Sequence, residues 1–162
     1  MKTMTDEREG ICELEVRRRR LRDGPMPVLT SPEQTARCFS DLVERDRETL
    51  CVACLDTRNQ LIGRHVVFLG TTDAVMIHPR EILRVALLSM ATRIVVVHNH
   101  PSGNPSPSLD DLYATEKLAE ACGVVGVTLL DHVIVGRGGT FWSWANDGRH
   151  RRRQRRNPCD HE

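Results

Sequence analysis

A chain of 162 residues, 40% hydrophobic and 28% charged, suits one compact domain with tails and leaves little room for a second. That composition excludes wholesale disorder, and no apolar run approaches the roughly 20 residues of a membrane helix. The net charge of +1 hides an asymmetry: residues 1–22 carry 7 basic and 5 acidic side chains, residues 149–162 carry 6 and 2, and the stretch between them carries 10 and 15.

The start of the chain, Met1 to Gly10, is polar and has no signal-peptide core, so we expect a cytoplasmic protein without a membrane anchor. Residues 1–29 read as a flexible arginine-rich leader, with Arg17 to Arg20 and Arg22, and residues 147–162 as a basic, disordered tail. Such ends attract polyanions. Neither has interleaved aromatics to stack on bases, so nucleic-acid contact would run through phosphates and weaken with salt. A purely solubilising role is the plainer reading.

Residues 30–146 carry the periodic pattern of a folded domain. Ser31-Pro32-Glu33-Gln34 opens a helix, with serine as N-cap, proline at the first helical position and glutamine where a capping box needs it. Ala36, Phe39, Leu42 and Val43 continue it at helical spacing. Strands at about 49–56 and 61–69 flank the polar turn Thr57-Arg58-Asn59-Gln60, a hairpin signal, and Gly70 to Asp73 breaks the run. A helix starts near Pro79 and reaches Leu88, apolar on more than one face and therefore expected to be largely buried. Arg93 to Val97 is a β-branched strand that delivers His98-Asn99-His100 at its end. After a loop from Pro101 to Pro107, Ser108 caps a helix with Leu109, Leu112, Leu118 and Cys122 inside and Gly123 as its stop. Residues 126–136 read as further strand, in two pieces or one long bent one, and Phe141 to Trp144 as an edge strand. The sum is an α/β domain, a mixed sheet flanked by helices.

The six cysteines are scattered. Cys51 and Cys54 form a CxxC, but they stand three apart in an apolar strand, where they face opposite sides, and no second CxxC completes a zinc site. They read as reduced core residues.

The chemistry concentrates in His98-x-His100. On an extended segment residues i and i+2 point the same way, and Asp111 arrives in the first turn of the next helix. Two imidazoles and one carboxylate leave a fourth coordination position open, as catalytic zinc sites do. Asp110 is the rival carboxylate, though one in a first helical turn also complements the helix dipole. His65, His78 and the pair Asp131-His132 read as structural, with support of a metal ligand as the alternative for the last. The string His98-Asn99-His100 does not make an HNH nuclease motif, whose residues are spread over a hairpin and helix.

His98-Asn99-His100-Pro101 followed by Ser108-Leu109-Asp110-Asp111 resembles the H-x-H-P…S-x-x-D signature of JAMM (MPN/JAB) metalloproteases. The run through Ser102-Gly103-Asn104-Pro105, together with His78-Pro79-Arg80-Glu81-Ile82-Leu83 and Leu129-Leu130-Asp131-His132-Val133-Ile134-Val135-Gly136, resembles the RadC-like branch in particular. The resemblance covers about residues 30–145. It implies a single JAMM/MPN-type, cytidine-deaminase-like domain, with His98, His100 and Asp111 as ligands of Zn2+. It implies Ser108 as the serine that stabilises an oxyanion and Glu48, at the head of the first core strand, as general base. The implied activity is that of a zinc metallopeptidase acting on an amide bond in a peptide or protein substrate. The alternative it offers is a DNA-repair accessory protein that binds nucleic acid through the arginine-rich ends. The helix-hairpin-helix region usual in RadC-like proteins has no counterpart in the first 30 residues, so the chain reads as a stand-alone JAMM domain.

Overall fold

The computed structural model describes residues 24–69 and 78–147, so the expectations for both arginine-rich ends and for the break after residue 69 lie outside it. The elements run α1 (Pro32–Cys38), a 3-10 turn (Ser40–Leu42), β1 (Thr49–Leu55), β2 (Leu61–Leu69), α2 (Pro79–Leu88), β3 (Arg93–Asn99), α3 (Leu109–Val125), β4 (Thr128–Val135), a second 3-10 turn (Arg137–Gly139) and β5 (Phe141–Ser143). The sheet order is β2-β1-β3-β4-β5. The β3–β4 pair is parallel and the other three are antiparallel. A parallel pair needs a crossover, and α3 supplies it. This is the expected α/β class with a mixed sheet.

The sheet separates two cores. On one face Leu50, Val52, Cys54, Ile94 and Val96 pack against Ile82, Leu83 and Ala86 of α2 and Leu118 and Cys122 of α3. On the other, Cys51, Ala53, Val95, Val97, Val133 and Val135 pack against Phe39, Leu42 and Leu29. Alternation along β1 thus sends Cys51 and Cys54 into different cores, as expected. All seven β1 residues are buried, which is why that strand reads as an apolar run rather than an alternation.

Several boundaries depart from the sequence reading. Phe39 and Leu42 are fully buried, but the helix stops at Cys38 and a 3-10 turn carries the chain on. The α2 helix is less buried than expected: Leu87 and Leu88 are 52% and 41% exposed. Leu109 points to solvent at 83%, because the first helical position of α3 lies beyond the packed face. Gly123 does not end α3. The helix passes through it to Val125 and stops at Gly126, whose φ of 74° is left-handed and whose N–H bonds the Cys122 carbonyl. The strand after it is one piece.

One irregularity in β4 decides where its polar side chains go. Ile94 pairs with Leu129, but Val95 pairs with Asp131, so Leu130 is an extra residue in β4. From there on Val96 faces with His132, Val97 with Val133 and His98 with Ile134. Without the bulge, the side-chain alternation would send His132 to the α1 side.

Candidate metal centre

His98, His100 and Asp111 meet beside the N-terminus of α3, the one group among the described residues in which three such side chains could hold a metal ion. His98 Nε2 lies 3.0 Å from His100 Nε2. Asp111 Oδ1 is 3.3 Å from His98 Nε2, and its Oδ2 is 3.4 Å from His100 Nε2. A tetrahedral centre with bonds of about 2.0–2.1 Å spaces its ligands about 3.3 Å apart. A direct charge-assisted hydrogen bond would be nearer about 2.8 Å. The triangle has the edge length of a coordination shell.

The hydrogen bonds fix which nitrogens carry protons. His100 Nδ1 lies 2.9 Å from the Asn104 carbonyl oxygen, which can only accept, so Nδ1–H donates and Nε2 is bare toward the centre. His98 Nδ1 lies 2.7 Å from His132 Nε2. Burial and the neighbouring His132 hold His98 well below the ordinary histidine pKa, so it stays neutral. His100 is pushed up, first by the hydrogen bond with Asp111: a proton competes for the place a cation would take. Burial opposes ionisation of Asp111, but the hydrogen bond with His100, the neighbouring His98 ring and the hydrogen bonds from Ser108 outweigh it and hold the carboxyl well below its usual range. A neutral imidazole pair with an ionised carboxylate is the donor set of a divalent-metal site.

Ser108 is the N-cap of α3. Its backbone N–H and its hydroxyl each donate to Asp111 Oδ2 at 2.7 Å, while Asp111 N–H donates back to Ser108 Oγ at 3.0 Å. This capping box orients the carboxylate with the helix start. Asp110, the rival, is exposed and is not among the three converging donors. Glu48 immediately precedes β1, where Leu50 pairs with His98. It is close enough for His100 and Asp111 to act on its charge, and burial, the largest influence, raises its pKa above the ordinary glutamate value.

The loop from Pro101 to Pro107 is held by close backbone approach. A Cβ on Gly136 would stand 2.8 Å from the Gly103 carbonyl oxygen and 2.6 Å from Thr140 Oγ1, so only glycine fits there. Arg137 N–H donates to Gly103 O at 3.0 Å, and Gly103 N–H to His100 O at 2.8 Å. The end of β4 thereby supports His100 and the carbonyl that orients it.

A family model described as the RadC-like JAB domain matches residues 29–149. The chain belongs to that family. It is 43% identical over 113 residues to a UPF0758 protein of Thermotoga maritima, covering 70% of this chain and 51% of that one. A UPF0758 protein of Picosynechococcus is 45% identical over 111 residues, covering 68% and 46%. One of Listeria monocytogenes reaches 52% over 83 residues, covering 51% and 37%. The chain spans about half the length of the curated relatives it matches. The matched region of this RadC-like JAB domain contains the whole histidine–aspartate group.

The structure also assigns work to residues the sequence reading does not single out. Asn99, fully buried between the two histidines, accepts from Thr49 N–H at 2.9 Å through Oδ1. Its amide donates to the Arg47 carbonyl at 3.3 Å, so one side chain grips the backbone on both sides of Glu48. The signal was its place: between two residues facing one side, it must face the other. Asp131 and His132, which the sequence does single out as a structural pair with support of a metal ligand as the alternative, send their side chains different ways. Asp131 accepts from Ser143 Oγ at 2.7 Å and from Ala145 N–H at 2.8 Å, while His132 turns to His98. Among the described residues no helix is long and apolar enough to cross a membrane.

Proposed function

We propose that this RadC-like JAB domain is a zinc-dependent amide hydrolase of the JAMM type, acting on a peptide or protein substrate. The observation that carries the reading is the convergence of two bare imidazole nitrogens and a carboxylate at coordination spacing, with a half-buried carboxyl beside them. Bound zinc would supply Lewis acidity, polarising the scissile carbonyl and acidifying the attacking water. His98, His100 and Asp111 would hold it. Glu48 is the general base: its raised pKa lies closer to neutrality, where a carboxylate both accepts the proton of the attacking water and returns it to the leaving nitrogen. Asn99 holds the Glu48 backbone still during that transfer. Ser108 orients Asp111 through the capping box, and its hydroxyl lies beside the centre to stabilise the oxyanion of the tetrahedral intermediate once it turns from the carboxylate.

The test is elemental analysis of the purified chain beside Asp111→Ala, followed by a broad peptide and isopeptide screen. One zinc per chain, largely lost in the variant, with cleavage lost in a Glu48→Gln protein that keeps its zinc, is the expected result. A folded, zinc-loaded chain that cleaves no amide while a verified JAMM protease does would overturn the activity. A folded chain never exposed to chelator that contains no metal would overturn the site.

A further inference from the structure

We propose that His132 and Thr115 are positioning residues that lock His98 in the tautomer able to bind the metal; this rests on the proposed metal site. Thr115 Oγ1 lies 2.6 Å from the backbone carbonyl oxygen of Asp111 and 2.5 Å from His132 Nδ1. The hydroxyl has one proton, and the carbonyl can only accept. The threonine therefore donates to Asp111 and accepts from His132 Nδ1–H. A neutral imidazole with its proton on Nδ1 has a bare Nε2, which accepts from His98 Nδ1–H. That leaves His98 Nε2 bare toward His100 and Asp111. The chain of bonds runs from the backbone of one ligand, Asp111, to the ring of another, His98. Each bond is oriented by the one before.

Burial makes the orientation binding. His98, Thr115 and His132 are 0%, 2% and 5% exposed, so water does not offer an alternative partner. The opposite polarity, with Thr115 donating to His132, would put the proton of His98 on Nε2, where it would block coordination. The short bond to the Asp111 carbonyl decides against it. The Leu130 bulge is what aims the His132 ring at the centre.

Long-range proton–nitrogen NMR correlations on the zinc-loaded, histidine-labelled full chain read the tautomer of each ring. We expect His132 protonated on Nδ1 with a bare Nε2; a proton on Nε2 would overturn the proposal. Zinc competition against a chromophoric chelator supplies the second readout. His132→Leu should weaken zinc binding about 10- to 100-fold, the usual loss for a group supporting a ligand. His132→Gln, whose side-chain oxygen accepts from His98, should recover most of the loss, and Thr115→Val should show a smaller loss in the same direction. Unchanged affinity in folded His132→Leu would leave the metal site standing and defeat the positioning role alone. Failure of the unaltered chain to bind zinc would defeat both readings. If His132→Leu does not fold, the tautomer in the unaltered chain decides.

Discussion

Glu48 combines two demands that oppose each other. Its carboxyl is half-buried, and in the folded chain its pKa is raised, so ionisation is disfavoured relative to the unfolded chain. The stability this group contributes is complete below its ordinary pKa and is lost as pH rises through the folded one. Glu48→Gln should therefore melt higher than the parent at neutral pH in chelator-treated protein, with the gap closing in acid; calorimetry across pH checks this. The same substitution should slow hydrolysis by about 10²–10⁴-fold while zinc content stays the same. His132 has the opposite slope. Its pKa falls from 6.5 to about 4, so the stability it brings is present above 6.5 and lost as pH falls through about 4. In metal-free protein His132→Gln should flatten the melting curve over that window; an unchanged slope would show that the ring is not buried neutral.

Strands and loops place these groups more than the groups place themselves. Gly136→Ala puts a methyl against the Gly103 carbonyl and should push the 101–107 loop off the end of β4. We expect weaker zinc binding with α3 intact, read by chelator competition beside circular dichroism. Asn99→Ala leaves Thr49 N–H without its partner and should cost about 1–3 kcal/mol in a denaturant melt, with cleavage falling more than zinc content. Much of this framework is legible in the sequence. The i, i+2 histidines and the S-x-x-D spacing are enough to bring three candidate ligands together, because a strand alternates and a capped helix start has fixed geometry. The departures are tertiary. Gly123 reads as a stop because glycine ends helices, yet a helix interior tolerates glycine for about 1 kcal/mol, and it is Gly126 that takes the left-handed angle. For His132 the sequence leaves a structural role and support of a metal ligand both open, because period-two counting along β4 breaks at Leu130, and no local signal announces an extra residue that only the partner strand reveals.

Taken as a whole, the domain is a sheet with a core on each face, and the candidate centre lies at one end of it, where β3 and α3 meet. Its candidate ligands come from separate parts of the chain brought together only on folding, so on the proposed reading metal and fold should be linked. Zinc at a hundredfold excess over its Kd should add about 2.7 kcal/mol, or roughly 5–10 °C in Tm, and a chelator should remove it. Asp111→Ala should be indifferent to both; scanning calorimetry with and without chelator distinguishes the two. The bulge in β4 gives the chain an unequal tolerance for changes in its length. A residue added between Thr57 and Arg58, the exposed tip of the turn between β1 and β2, lies outside the pairing of the sheet. Removing Leu130 takes out the one residue that β3 leaves unpaired, so Asp131 stays opposite Val95 and His132 opposite Val96. Removing Val133, from the regular part of the strand, would put Ile134 opposite Val97 and exchange the faces of the residues that follow. In this stretch the number of residues carries as much information as their identity.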